Sequence, residues 1–410
     1  MEAMDIQAVE SKLSDVTVTA IPMSGKNIHK DLSHGNNSQA TISTVPATSP
    51  SSGGKDKDNG MSKYASMAVA WQNKLRWDTG YSADSVEWCP VEPHRDVLVC
   101  GTYQLEKNAE QESNTAKQTR LGRIYLFTIN KDITELVPIH SVDTSGILDQ
   151  KWCYHAVQDY PTLAVVTSVG TLQLYRLINE NGALELKLWL EHVIGEDVLA
   201  LSVDWSTNKT SCEEHSLVVS DSAGFVHVLK IVEHGLTVVG SWKSHGFEAW
   251  IGAFNYWNPD VFYSGGDDCL FKSYDVRVPE ISTAVNKRHG AGVTSIRSHV
   301  DVEHQLLTGS YDEKIRLWDT RSLKSSVEEI DVNGGVWRLK WHPYRQDIVL
   351  AACMYGGFRV LRVDDKMEIL SEYLQHDSIA YGADWKFEAD SLVATCSFYD
   401  CKMHISDLAL

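Results

Sequence analysis

The sequence predicts an all-β fold built from seven copies of one four-stranded unit. Apolar and polar residues alternate over short runs, and 13 Trp are spread through the 410 residues, which suits many short, densely packed strands. One kind of strand recurs: SVEWCP (85–90), ILDQKWC (147–153), VLALSVDW (198–205), AWIGAFNYWNP (249–259), GVTSIRSH (292–299), VWRLKWHP (336–343) and IAYGADW (379–385). Trp341 and Trp385 in the last two copies are spaced as expected for repeats of roughly 40–45 residues.

The clearest copy is Leu306–Arg321, LLTGSYDEKIRLWDTR, in which two apolar runs flank a polar turn. This string resembles the WD-repeat unit, which folds as one blade of a β-propeller. In that family a His, a Ser or Thr, an Asp and a Trp form a hydrogen-bonded chain that stabilises each blade. The resemblance assigns this chain to His289, Ser310, Asp312 and Trp318. The pairs that fit the same pattern in other repeats are His245 with Asp268 and His376 with Asp400.

The seventh repeat is one strand short of a blade where the sequence stops at Leu410. The segment Ala65–Tyr81 holds enough apolar residues for one strand, and a strand near residues 70–80 would complete the blade and remove two exposed sheet edges. We therefore predict a seven-bladed WD-repeat β-propeller over residues 65–410. Residues 1–62 are rich in Ser, Thr, Asn, Gly and Pro and are predicted to be a disordered tail. The polar insertion Glu106–Arg120 is predicted to lie in a surface loop.

Composition narrows the classes of function. A formal net charge of −18 argues against binding a nucleic-acid backbone and favours a positively charged partner, although acidity also serves solubility. The eight Cys contain no Cys-x-x-Cys pair, which indicates reduced thiols. We find no signal-peptide pattern and no long uncharged apolar run, so we expect a cytoplasmic protein, with the nucleus also possible and no membrane contact. The common nucleotide, zinc and hydrolase motifs are absent, and we expect no cofactor or metal.

The sixth repeat departs from the blade pattern. The string MYGGF places Tyr355 where the turn usually carries its Asp, and the preceding loop, Asp331–Trp337, contains no His. Such a departure indicates a segment altered for function. In a propeller, the loops before the first strand and after the second strand open on one face around the central channel. Here these loops hold acidic and aromatic residues that we call the collar: Glu248, Trp250, Asp267, Asn333, Trp337, Tyr355, His376, Asp377 and Tyr381.

The collar suits a cationic ligand, because an aromatic ring face attracts a quaternary ammonium by about 0.5–2 kcal/mol. The alternative is that these rings only pack the inner strands.

Longer strings resemble the diphthine methyltransferase family of WD-repeat proteins: DSVEWCP with CGTYQL, FEAWIGAFNYW with YSGGDDC, GGVWRLKWHP with AACMYGGF, and HDSIAYGADW. These strings span most of residues 80–400. The resemblance implies a hydrolase that removes the methyl ester from methylated diphthine, a modified histidine of elongation factor 2, as a step of diphthamide biosynthesis. It therefore implies elongation factor 2 as the protein substrate. Its modified side chain carries a trimethylammonium group beside the ester.

We assign hypothetical roles to the collar on this basis. His376, oriented by Asp377 or Asp400, would take a proton from the water that attacks the ester carbonyl. Tyr355, or the backbone N–H groups of Gly334 and Gly335, would donate to the developing oxyanion. The residues predicted to hold the substrate cation are Trp250, Trp337, Tyr381, Glu248 and Asp267. A covalent route through Cys353 is an alternative, although a strand Cys among apolar neighbours is usually inert.

A second class of function is a non-catalytic adaptor. Residues 315–321, IRLWDTR, resemble the blade end through which WD-repeat substrate receptors dock on a cullin-based ubiquitin ligase. The residues concerned are Trp318, Asp319 and Arg321. Trp-Asp also closes ordinary blades, so the segment has a purely structural interpretation too.

Overall fold

The structure is a computed structural model that describes residues 69–106, 119–209, 215–278, 281–364, 366–388 and 391–410. These residues belong to one compact unit, Met67–Leu410. The predicted tail 1–62 and residues 107–118 of the predicted insertion lie outside the described residues. Within the described ranges, no helix has the length and apolarity needed to cross a membrane.

The described residues form seven four-stranded antiparallel sheets, the blades of a seven-bladed β-propeller. The strands of blade 1 are β2 (Ser82–Trp88), β3 (Val97–Leu105), β4 (Arg120–Ile129) and β5 (Leu136–Ser145). Those of blade 2 are β6 (Ile147–Trp152), β7 (Thr162–Thr167), β8 (Thr171–Glu180) and β9 (Ala183–Val193). Those of blade 3 are β10 (Ala200–Trp205), β11 (Ser216–Asp221), β12 (Phe225–Val232) and β13 (Gly235–Lys243).

The next three blades repeat this order. The strands of blade 4 are β14 (Ile251–Phe254), β15 (Val261–Gly265), β16 (Phe271–Asp275) and β17 (Ser282–Asn286). Those of blade 5 are β18 (Val293–Ser298), β19 (Gln305–Ser310), β20 (Lys314–Asp319) and β21 (Glu328–Asp331). Those of blade 6 are β22 (Arg338–Trp341), β23 (Ile348–Ala352), β24 (Phe358–Val363) and β25 (Met367–Tyr373).

Blade 7 joins the two ends of the described chain. Its strands are β26 (Ala380–Trp385), β27 (Leu392–Ser397), β28 (Lys402–Ala409) and β1 (Ala70–Asp78). Strand β1 pairs antiparallel with β28, from Ala70 opposite Ala409 to Asp78 opposite Lys402. The first strand of each blade lies beside the first strand of the next, and β26 lies beside β2, so the first strands surround a central channel.

Tryptophans at the ends of several first strands connect neighbouring blades. The indole N–H of Trp205 in blade 3 donates to the carbonyl of Lys151 in blade 2 (2.9 Å), and that of Trp385 in blade 7 donates to Lys340 in blade 6 (3.0 Å). Trp205 and Trp385 are fully buried. Each of these two indoles therefore satisfies its polar atom while its rings fill the space between two sheets.

The blade hydrogen-bond chain corrects one prediction. In blade 5, Thr308 Oγ1 lies 3.1 Å from His289 Nε2 and accepts the Trp318 indole N–H at 2.8 Å. The predicted Ser310 does not have this role, because it lies at the end of β19, where its hydroxyl donates to the Ala291 carbonyl and accepts the Asp312 N–H. Thr308 lies two residues earlier on the same face of the strand, within reach of both rings.

Candidate functional site

Three aromatic side chains lie at the same end of three first strands. Trp250 immediately precedes β14, Trp337 immediately precedes β22, and Tyr381 is the second residue of β26. The rings of Trp250 and Trp337 are 5.9 Å apart, and those of Trp337 and Tyr381 are stacked at 4.8 Å. Blade 5 lies between the two tryptophans and has Thr294 as the second residue of its first strand, β18. The result is a row of partly exposed rings at one mouth of the channel.

Tyr311 is a fourth ring in this row, and the sequence analysis missed it. Its ring lies 6.1 Å from Trp250 and 6.2 Å from Trp337. Burial and the neighbouring acidic groups raise the pKa of Tyr311 well above its ordinary value, so its hydroxyl stays protonated. Tyr311 lies in the turn after β19, and this turn corresponds to the one that holds Asp267 in blade 4. That correspondence could have identified Tyr311 from the sequence.

Two carboxylates lie beside the rings. Asp267 Oδ1 accepts the Trp250 indole N–H at 3.2 Å, and the Asp267 backbone N–H donates to the Glu248 carbonyl at 2.9 Å. Glu248 is buried, whereas Asp267 is partly exposed. Rings whose faces are negative, together with negative carboxylates, form an environment that favours a cation over an anion. The collar residues Trp250, Trp337, Tyr381, Glu248 and Asp267 are therefore brought together as one group.

An ion pair crosses the channel beneath this mouth. Arg338 in blade 6 lies 2.9 Å from Asp149 Oδ1 in blade 2 and donates to the Leu148 carbonyl at 3.3 Å. Blades 7 and 1 lie between these strands on one side and blades 3, 4 and 5 on the other, so the pair spans the ring. Both charged side chains are largely buried.

Asp84 lies in blade 1 at the strand position that Tyr381 occupies in blade 7. The residue is 1% exposed, and its Oδ1 has no hydrogen-bond partner. Burial raises the pKa of Asp84 well above its ordinary value, while the positive charge of Arg338 lowers it. Two neighbouring polar atoms, Ser85 Oγ and Gln150 Oε1, are also buried without partners. Buried polar atoms are normally satisfied, so this wall can bind water or a polar ligand.

Further charges line the channel toward its opposite end. Lys340 pairs with Glu87 and lies 3.3 Å from Asp384, and Asp204 pairs with Arg297 at 3.2 Å. Burial raises the pKa of Glu87 to about 7 against the attraction of Lys340. A small cavity of about 30 Å³ lies here, and Tyr154 and Phe387 are among its lining residues.

The structure places the side chain of the predicted base, His376, within blade 7. Its side chain is 3% exposed, its Nε2 lies 3.0 Å from Thr395 Oγ1, and its Nδ1 lies 2.7 Å from Ser397 Oγ. Its ring stacks on His404 at 3.8 Å. Both nitrogens are thus engaged within blade 7 in the structural chain.

The other predicted catalytic groups are scattered. Tyr355 is 80% exposed, and its ring makes none of the aromatic contacts found in the described part of the chain. Asp377 is exposed, and its backbone N–H donates to Asp400 at 3.0 Å. Cys353 is fully buried, and burial raises its pKa to about 12, which disfavours a thiolate nucleophile. Gly334 packs so tightly that a Cβ would lie 2.2 Å from the Cys353 carbonyl oxygen.

The fold and site define the class of protein: a seven-bladed β-propeller with an aromatic and acidic site at one mouth of its channel. The chain matches a chain from a crystal structure of the mitotic checkpoint complex with a TM-score of 0.61 and 14% identity, covering 89% of this chain and 99% of that one. At this identity the match supports the fold alone.

Sequence comparison identifies the family. The chain is 43% identical to the diphthine methyltransferase of Homo sapiens over 76% of this chain and 74% of that protein. It is 42% identical to that of Mus musculus over 78% and 71%, and 36% identical to the homolog of Dictyostelium discoideum over 78% and 95%. The chain therefore belongs to the diphthine methyltransferase family. Separately, the family model of cyclin-dependent kinase 2-associated protein matches residues 1–73, most of which lie outside the described residues.

Proposed function

We propose that this protein hydrolyses the methyl ester of methylated diphthine on elongation factor 2, a step of diphthamide biosynthesis. The observation that carries the proposal is the row of Trp250, Trp337 and Tyr381 at the channel mouth, flanked by the carboxylates of Glu248 and Asp267. Membership of the diphthine methyltransferase family supports diphthine as the group recognised.

The row matches the two chemical features of the substrate side chain. A trimethylammonium group cannot donate a hydrogen bond, and it is held by ring faces that contribute about 0.5–2 kcal/mol each. Glu248 and Asp267 add Coulomb attraction at the same mouth. The ester beside the ammonium would then project into the channel, toward the polar wall of Asp84 and Arg338.

The test distinguishes hydrolysis from methyl transfer, since the relatives are named methyltransferases. Elongation factor 2 carrying the methylated intermediate is incubated with the purified protein and no methyl donor, and its mass is then measured. We expect the loss of one CH₂ from the modified residue and the release of methanol. A Trp337→Ala variant run in parallel should be slower at low substrate concentration. An unchanged mass with folded protein would contradict the proposal.

A second candidate function is ubiquitin-ligase adaptor. Arg321 makes a forked, exposed contact with Asp319, with Nη2 to Oδ2 at 2.6 Å, and Arg277 makes the same contact with Asp275 in the neighbouring blade. Two exposed arginines, each forked onto an aspartate, lie on adjacent blades and would offer a docking edge, whereas Trp318 is fully buried and is part of the core. Arg321→Ala should remove copurification with a cullin-based ligase and leave ester hydrolysis unchanged. Equal copurification of variant and wild type would refute this role.

A further inference from the structure

We propose that Asp84 is the general base of the ester hydrolysis and that Arg338 binds the ester carbonyl oxygen, so that the reaction takes place on the channel floor beneath the aromatic row. This inference rests on the proposed function and names its catalytic groups.

Asp84 lies beside the aromatic row at the channel mouth. Gly382, which follows Tyr381, has no room for a side chain, because a Cβ there would lie 2.8 Å from the Val86 nitrogen and 2.9 Å from the Ser85 Cα. Strand β26 therefore presses against β2 at this level, and Asp84 is next to Tyr381 around the ring. A cation held by Tyr381 and Trp337 would place groups attached to it beside Asp84.

Asp84 and Arg338 both have unused hydrogen-bonding capacity. Asp84 is almost completely buried, yet Oδ1 has no partner, and Ser85 Oγ and Gln150 Oε1 nearby also have none. The unpartnered Oδ1 of Asp84 can accept a hydrogen bond from a water molecule, which is what a general base needs to activate a nucleophilic water. The contacts of Arg338 to Asp149 and to the Leu148 carbonyl both use Nη2. The guanidinium therefore has further N–H groups for a carbonyl oxygen.

The surroundings of Asp84 make its carboxylate more basic. The charged groups that act on it are Arg338 and Asp149, and the neighbouring thiols are those of Cys396 and Cys100. Burial and Asp149 raise the pKa of Asp84, and Arg338 opposes them. A carboxylate with a raised pKa is a stronger base than an ordinary one, and it is therefore better matched to deprotonating water near neutral pH.

The step balances without a co-reactant. Water loses a proton to Asp84 as its oxygen forms a bond to the ester carbonyl carbon, and the carbonyl oxygen becomes an oxyanion beside Arg338. The oxyanion collapses, the bond from carbon to the methoxy oxygen breaks, and Asp84 returns its proton to the leaving methoxide. The products are methanol and a carboxylic acid, which releases a proton to solvent.

The test compares Asp84→Asn with the matched control Asp143→Asn, an exposed carboxylate on β5 that is paired with Arg123. Wild-type protein must first demethylate methylated elongation factor 2; if it does not, both proposals are wrong. We expect Asp84→Asn to lower kcat by about 10²–10⁴-fold with KM changed little, and the control to keep wild-type kcat. Wild-type turnover by Asp84→Asn would overturn this inference and leave the proposed function standing.

A second measurement does not depend on the variant folding. If Asp84 acts as a carboxylate, the kcat of the wild type must rise with pH, with a midpoint above the ordinary range of an aspartate. A kcat that is constant across that range would contradict the role. Arg338→Lys should keep the charge but lose the planar group of donors, lowering kcat more than it raises KM.

Discussion

Arg338 Nη2 lies 2.9 Å from Asp149 Oδ1 across the central channel, although the two residues are far apart in the sequence. The contact joins blade 6 to blade 2 and separates the aromatic mouth from the charged lower channel. Asp149 Oδ2 also accepts the backbone N–H of Val203 in blade 3 at 3.0 Å. One buried carboxylate thus connects three blades.

Breaking this ion pair should cost stability. Arg338→Met leaves Asp149 buried without its cation, and we expect the free energy of unfolding to fall by about 3–5 kcal/mol in denaturant titrations. Asp319→Asn, which breaks the exposed pair with Arg321, should change it by at most about 1 kcal/mol. If both variants lose the same small amount of unfolding free energy, the ion pair across the channel does not stabilise the fold more than an exposed pair does.

Removing a ring of the row should weaken substrate binding. Trp337→Ala deletes a ring that contacts both Trp250 and Tyr381, and we expect KM for methylated elongation factor 2 to rise about 2- to 30-fold. Trp337→Phe should have a smaller effect because it keeps a ring face. Trp257→Ala is the control, since Trp257 is 42% exposed in the loop after β14, at the other end of the first strands. A KM that rises equally in the control would contradict a cation site at the row.

Stability should fall as the pH is lowered below about 6.5. Burial lowers the pKa of His289 and His342 to about 4 and that of His404 to about 3. The unfolded chain binds protons at these residues near pH 6.5, whereas the folded chain does not, so acid favours unfolding through this window and the effect ends below the folded values. Denaturant midpoints at about pH 7 and about pH 5 measure it.

The histidine effect has a matched pair of variants. His404→Gln should reduce the dependence of the denaturant midpoint on pH. Of the three histidines, His404 has the pKa that lies furthest below its ordinary value. His234→Gln should leave it unchanged, because the His234 side chain is 88% exposed. Identical pH dependence in the wild type and in His404→Gln would contradict the assignment.

The corrected blade chain gives a further prediction. Thr308→Val keeps the shape of the side chain but leaves the Trp318 indole N–H and the His289 ring without their shared oxygen. We expect a loss of about 1–3 kcal/mol in the free energy of unfolding. Thr308→Ser retains the hydroxyl and should lose less. If the two variants are equally stable, the hydroxyl does not contribute as the geometry indicates.

The fold could be predicted because its signals are local and repeated. The seven first strands share an aromatic or polar ending that is visible at Trp88, Trp152, Trp205, Trp341 and Trp385. The one misplaced residue, Ser310 instead of Thr308, lies on the correct strand and face. Sequence spacing alone did not show how far along the strand the rings of His289 and Trp318 reach.

The site was predictable only in part. We could group Trp250, Trp337 and Tyr381 because each lies beside the start of a first strand. In a propeller, the loops that precede the first strands all open on the same face. Asp84 and Arg338 were missed although both are in strings that were recognised as first strands. The role we propose for them depends on the contact of Arg338 with Asp149 across the channel, and no local pattern relates blade 6 to blade 2. His376, the predicted base, has both ring nitrogens engaged in the hydrogen-bond chain of blade 7, the structural role that its sequence pattern also allowed.

The most direct test of the central claim is hydrolysis in water labelled with heavy oxygen. Methylated elongation factor 2 is incubated with the protein and no methyl donor, and the modified peptide and the methanol are analysed by mass spectrometry. We predict that the product carboxylate carries one heavy oxygen atom and that the methanol carries none, because water attacks the ester carbonyl. Heavy oxygen in the methanol, or an intact methyl ester, would contradict the account.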